Sequence, residues 1–117
     1  MLFRSIGGLM GARAGAAYTA SKHALIGLTR NTGYLYSKSG IKCNAIAPGA
    51  VATNIAETID FSKIGPLANE RIMSGMVLNP RNAEPKEIAG VALFLASEES
   101  SFINGAVITA DGGWTAY

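Results

Sequence analysis

The sequence predicts an α/β fold, a small parallel sheet of about three strands with flanking helices. Three observations predict it. Two short apolar runs, residues 41–47 and 106–110, are closed by Pro48-Gly49 and by Asp111-Gly112-Gly113, as buried strands are. Two stretches of helical period, from Ala16 and from Pro85, alternate with them. Parallel strands need a long crossover between them, and those helices supply it.

Each element follows in order. Residues 1–4 form the stub of a first strand. Residues 6–15 hold Gly7, Gly8, Gly11 and Gly15 and read as a loop. Residues 16–38 are helical: Ala17, Ala20, Ala24, Leu28 and Leu35 fall near one face, and Gly40 is a stop. Residues 41–47 make the next strand. Residues 51–81 lack a strong period and contain Gly65-Pro66 and Asn79-Pro80, so short helical pieces in a long functional loop are expected. Pro85 suits a first helical turn, with Glu87 near the positive end of the dipole. Ile88, Val91, Ala92 and Leu95 form that helix's apolar face, to about Ser97. Asn104-Gly105 turns the chain into the last strand.

Composition bounds the partners. The 117 residues suit one small domain. Hydrophobic residues make up 49% and charged residues only 15%, so some surface is expected to pack on another subunit or on something absent. The net charge is +2 with no basic run, which argues against nucleic acid or an anionic membrane. No apolar stretch reaches the roughly 18 residues of a membrane span. The start is too short and glycine-broken for a signal peptide. Cys43, the only cysteine, sits in an apolar run and is expected to be a buried, inert thiol in a reducing cytoplasm. No metal site is expected.

The chemistry is carried by Tyr18-Thr19-Ala20-Ser21-Lys22, with Ser5 upstream. Residues four apart stack on one helix face, so the Lys22 ammonium can approach the Tyr18 phenol. A nearby cation favours an ionised phenol, which suits proton exchange with an alcohol or carbonyl. Ser5 could hydrogen-bond the reacting oxygen. A Tyr-x-x-x-Lys pair occurs by chance in roughly one chain in five of this length, so the surrounding sequence has to decide.

The surrounding sequence resembles the C-terminal half of the classical short-chain dehydrogenase/reductase family. The motifs in register are Ser5 with Gly8, Tyr18-x-x-x-Lys22, Asn44-Ala45-Ile46-Ala47-Pro48-Gly49-x-x-x-Thr53, Pro85-x-Glu87-Ile88-Ala89, Leu93-Phe94-Leu95-Ala96-Ser97, and Asn104-Gly105 leading to Asp111-Gly112-Gly113. The resemblance implies half of a Rossmann-type doubly wound sheet binding NAD or NADP, and reversible hydride transfer to a small alcohol/carbonyl substrate. It implies that Tyr18 is the acid/base, that Lys22 assists it and holds the nicotinamide ribose, and that Ser5 orients the substrate. Pro48, Gly49, Val51 and Thr53 would border the cofactor, Thr53 alternatively capping a helix. Residues 54–80 would be a substrate lid, with Met73 and Met76 in the pocket or in the core. Trp114 and Tyr117 would pack at a subunit contact of a homo-oligomer. His23 is expected at the surface, and Asp111 as a turn residue.

Residues 1–117 are therefore expected to be a partial dinucleotide-binding domain without its phosphate-binding half. Gly11-x-x-x-Gly15 leads into Ala16-Ala17 and does not complete a phosphate loop. Two functions compete: the catalytic portion of an oxidoreductase, and a truncated, non-catalytic fragment acting at most in subunit association.

Overall fold

The computed structural model describes residues 2, 3 and 5–117. Met1 and Arg4, the outer residues of the expected first strand, lie outside them. Strand β1 is Leu2–Phe3, β2 is Ala45–Pro48 and β3 is Val107–Ala110. They form one parallel sheet in the order β1-β2-β3, with Leu2 opposite Ala45 and Ile46 opposite Ile108. Helix α1, Ala16–Leu35, links β1 to β2. Helices α2, Pro66–Ser74, and α3, Pro85–Ala96, lie between β2 and β3. The expected order of strand, helix, strand, a long segment with short helices, helix, strand is observed.

The core sits where α3 meets the central strand. Ile46, Ile88 and Leu95 are buried together, with Val91, Ala92, Ile103 and Ile108 packed around them. All three buried residues come from apolar positions at strand or helical spacing, and each contributes about 1.5–3 kcal/mol by leaving water. Pro85 begins α3 as expected, and Glu87 accepts the Glu84 N–H at 2.8 Å, closing the helix start. At the other end Lys42 Nζ donates to Ser97 O at 3.3 Å and to Ser100 Oγ at 3.1 Å, placing a cation at the negative helix terminus.

Two elements differ from expectation. The second strand begins at Ala45 because residues 41–44 take other partners. Cys43 N–H donates to Asn104 Oδ1 at 2.8 Å, and Asn44 Nδ2 donates to Ile103 O at 2.8 Å. Cys43 itself is a buried free thiol. The expected apolar face of α1, Ala17 through Leu35, is the exposed one. The residues α1 buries are Ile26, Thr29 and Gly33, on a stripe that includes half-buried Lys22. Gly33 lies there because Asn104 crosses it: Asn104 Nδ2 donates to Gly33 O at 2.9 Å. The helix stops at Leu35, a short 3-10 turn follows at Ser37–Ser39, and Gly40 closes it at φ 73°, which a glycine adopts without strain. No helix among the described residues is long and apolar enough to cross a membrane.

Candidate active site

The site is built at the carboxyl end of the sheet. Because the strands are parallel, β1, β2 and β3 all deliver their following loops to that edge, where open parallel sheets bind ligands. After β1 comes Ser5, in extended conformation, and then a 3-10 turn at Ile6–Gly8. Ser5 Oγ accepts the Gly7 N–H at 3.1 Å, so the serine fixes the turn's entry.

Helix α1 is pressed against this turn, and two glycines make the approach possible. A Cβ on Gly7 would lie 3.2 Å from Tyr18 Cε1 and 3.5 Å from Ser5 Oγ. Gly7 is thus the spacer that brings serine and tyrosine together. A Cβ on Gly8 would lie 2.8 Å from the carbonyl oxygen of Lys22, a backbone atom that cannot swing aside. Gly11 and Gly15 have open space around them, with nothing for a phosphate loop's close packing to explain.

Tyr18 and Lys22 lie one turn apart on α1. The Lys22 ammonium sits over the Tyr18 ring, 5.1 Å from its centroid. The stacking expected from the spacing is realised at the ring face. Tyr18 is 41% exposed, so a ligand can reach it. His23 is exposed on the same helix, with Nδ1 2.9 Å from Thr19 O, consistent with a surface role.

The segment after β2 lies on the same edge. Pro48 ends the strand, and Gly49 N–H donates to Ala110 O at 3.1 Å. Gly49 packs so closely that its Cβ would stand 2.9 Å from that of Asp111. Val51 pairs with Ala83 in an isolated parallel bridge, which ties the segment after β2 to the approach to α3. Thr53 is exposed, and its Oγ1 accepts the Ile55 N–H at 3.4 Å, starting the 3-10 turn Asn54–Thr58. Among the described residues no hydrogen bond joins residues 48–53 to Tyr18 or Lys22; the shared edge alone relates them. Asp111 is a turn residue: partial burial pushes its pKa up, but bonds from Thr115 Oγ1 and the Gly113 and Thr115 N–H groups hold it below the usual carboxylate range.

A further cluster was not legible in the sequence. Arg13 Nη1 donates to Gly75 O at 2.9 Å and Nη2 to the Tyr117 hydroxyl at 3.1 Å. The guanidinium lies 4.7 Å from the Trp114 ring centroid, and Trp114 Nε1 donates to the same Gly75 oxygen at 3.1 Å. Trp114, expected at a subunit contact, is instead only 5% exposed within the chain, because the end of α2 covers it. The cluster closes one side of a cavity of about 510 Å³ between the loop before α1 and α2. Ile72 and Leu78 line it, whereas Met73 and Met76 are exposed and do not.

Comparison with known proteins agrees with this architecture. The family model described as enoyl-(acyl carrier protein) reductase matches residues 1–115. The 3beta-hydroxysteroid dehydrogenase 2 of Eggerthella lenta is 43% identical over 113 residues, covering 97% of this chain and 43% of that protein. The crystal structure of levodione reductase superposes with a TM-score of 0.80 at 37% identity, covering 98% of this chain and 46% of that one. A 4-hydroxyisoleucine dehydrogenase complexed with NADH gives 0.77 at 37% identity, covering 98% and 46%. The chain thus spans less than half the length of each of these relatives. With a family model matching almost end to end and a partial Rossmann-type fold that superposes on a solved relative, the chain belongs to the short-chain dehydrogenase/reductase family.

Proposed function

We propose that this chain is the catalytic portion of an NAD(P)-dependent oxidoreductase acting on an alcohol/carbonyl pair. One observation carries the reading: Ser5 and Tyr18 flank Gly7 at the carboxyl edge of the sheet, with the Lys22 ammonium over the tyrosine ring. When bound, a nicotinamide would supply or take the hydride at the substrate carbon. In the reducing direction Tyr18 gives its Oη proton to the substrate oxygen as that oxygen gains charge. In the oxidising direction it takes the proton back. Lys22 stabilises the negative charge left on Tyr18, and Ser5 Oγ hydrogen-bonds the substrate oxygen and orients it.

The residues present fit half of the dinucleotide. Tyr18 and Lys22, with Pro48, Gly49, Val51 and Thr53, lie on the ligand-binding edge and suit the nicotinamide end. The glycine-rich loop between β1 and α1 does not fit a pyrophosphate cradle, since Gly8 packs on the Lys22 carbonyl and Gly11 and Gly15 face open space. Weak cofactor binding follows for this length of chain. The buried thiol of Cys43 suits a reducing cytoplasm. The apolar outer face of α1 supports a second reading, a fragment that associates with a longer homologue and does not turn over.

Titration with NADH and NADPH, followed by cofactor fluorescence, tests the proposal. Saturable binding in the millimolar range or tighter is expected, with Tyr18→Phe losing at least about 100-fold in turnover while retaining binding. Absence of saturation at millimolar cofactor would sink enzyme activity for this chain and leave the association reading.

A further inference from the structure

The cavity beside α1 has an electrostatic character that the hydride-transfer chemistry does not require. Two of its lining residues are Arg13 and Arg71, and none has a carboxylate side chain. Arg13 Nε is a buried donor without a partner. Such an atom is costly to leave unpaired, and more so on a charged group. Among the described residues the Arg71 guanidinium makes no ion pair or hydrogen bond. Gly15 and Ala16 also line the cavity, at the start of a 20-residue helix whose N-cap offers no side chain to the free N–H groups. Three sources of positive potential therefore meet in one space.

The rest of the lining is apolar, with Met10, Ile72 and Leu78 in the wall. A purely apolar ligand would leave the Arg71 guanidinium uncompensated. A freely hydrated anion would gain nothing from the apolar wall. The combination suits a molecule with both parts, and Arg presents paired N–H groups that match a carboxylate.

We propose that this cavity takes a carboxylate on a short apolar body, and that the substrate of the oxidoreductase is of this class. Arg71 supplies the free guanidinium, and Arg13, already bonded to Gly75 O and the Tyr117 hydroxyl, adds only its positive potential. Ala14, Gly15 and Ala16 lead directly into the turn that carries Tyr18, roughly 3–6 Å further along the helix axis at 1.5 Å per residue. A carboxylate held in the cavity would thus leave its apolar body within reach of the tyrosine. The assignment rests on the oxidoreductase reading for its link to turnover, but the anion preference is measurable without it.

The test is equilibrium binding of hexanoate and hexan-1-ol to the 117-residue chain, with no cofactor, followed by NMR shifts of the Met10, Ile72 and Leu78 methyl groups. Hexanoate is expected to bind at least tenfold more tightly than hexan-1-ol. Arg71→Gln should remove most of that preference and Arg71→Lys should keep part of it. Arg71 is exposed on α2, so neither change threatens the core. Equal affinity for the two probes, or a preference that Arg71→Gln leaves intact, overturns the inference. Failure of NADH to bind in a separate titration overturns the oxidoreductase reading, and the hexanoate preference would still be measured.

Discussion

At the scale of single residues, the arrangement of Ser5, Tyr18 and Lys22 depends on two residues with no side chain. Gly7 separates the serine from the tyrosine, and Gly8 lets the turn lie against the carbonyl of Lys22. Gly8→Ala places a methyl group against backbone, so α1 must move outward. The expected cost is about 1–3 kcal/mol, seen as a lower urea midpoint, together with a displaced Tyr18. The candidate site was legible in the sequence as a grouping of residues, since Tyr18 and Lys22 sit at helical spacing and Ser5 precedes them. The sequence did not carry the reason for Gly7 and Gly8, because close approach between a turn and a helix is a tertiary contact with no local pattern. Arg13 was hidden for the same cause: its partners Gly75, Trp114 and Tyr117 are remote in the chain.

At the scale of elements, α1 is the instructive case. Its apolar periodicity was plain, yet the face it marked is exposed, with Leu28 at 52% and Leu35 at 59%. Local pattern finds an apolar stripe but cannot say which partner covers it. The stripe that packs within this chain holds Ile26, Thr29 and Gly33, of which only one is large and apolar. The packing makes a paired prediction. A Cβ at Gly33 would meet Asn104 Oδ1 at 2.8 Å and Gly105 N at 2.9 Å, whereas Gly27 on the same helix has open space. Gly27→Ala should stabilise by roughly 0.5–1 kcal/mol through helix propensity. Gly33→Ala should destabilise by about 1 kcal/mol or more, because overpacking exceeds that gain. Thermal melts of the two variants should move in opposite directions. The start of α3 was read correctly, and it carries a pH signature. Arg81 grips the Glu87 carboxylate at 2.6 and 2.8 Å and the Glu84 N–H adds a third bond, lowering its pKa from 4.5 to about 2. A lowered carboxylate pKa contributes stability that is complete above about pH 4.5 and is lost as the pH falls through about 2. The difference in urea midpoint between the wild type and Glu87→Gln should therefore be largest at neutral pH and vanish near pH 2.

At the scale of the whole molecule, three parallel strands with helices leave much apolar surface uncovered. The low charge content had signalled this, and Leu28, Leu35 and Phe102 now give it an address. Leu28→Gln with Leu35→Gln should reduce self-association in sedimentation velocity at micromolar concentration while leaving the melting temperature nearly unchanged. An unaltered sedimentation profile would place the association elsewhere. The alternation of elements was legible because α/β crossovers impose it. The contacts between distant parts were not, and the Trp114 anchor is the plainest of them. Its consequence is optical. The chain has one tryptophan, and its indole N–H is bonded to the C-terminal end of α2 while a guanidinium lies over its ring. Lifting α2 away would release that bond and wet the ring in one motion. The emission of this single indole is thus an intrinsic gauge of the position of α2, needing no dye.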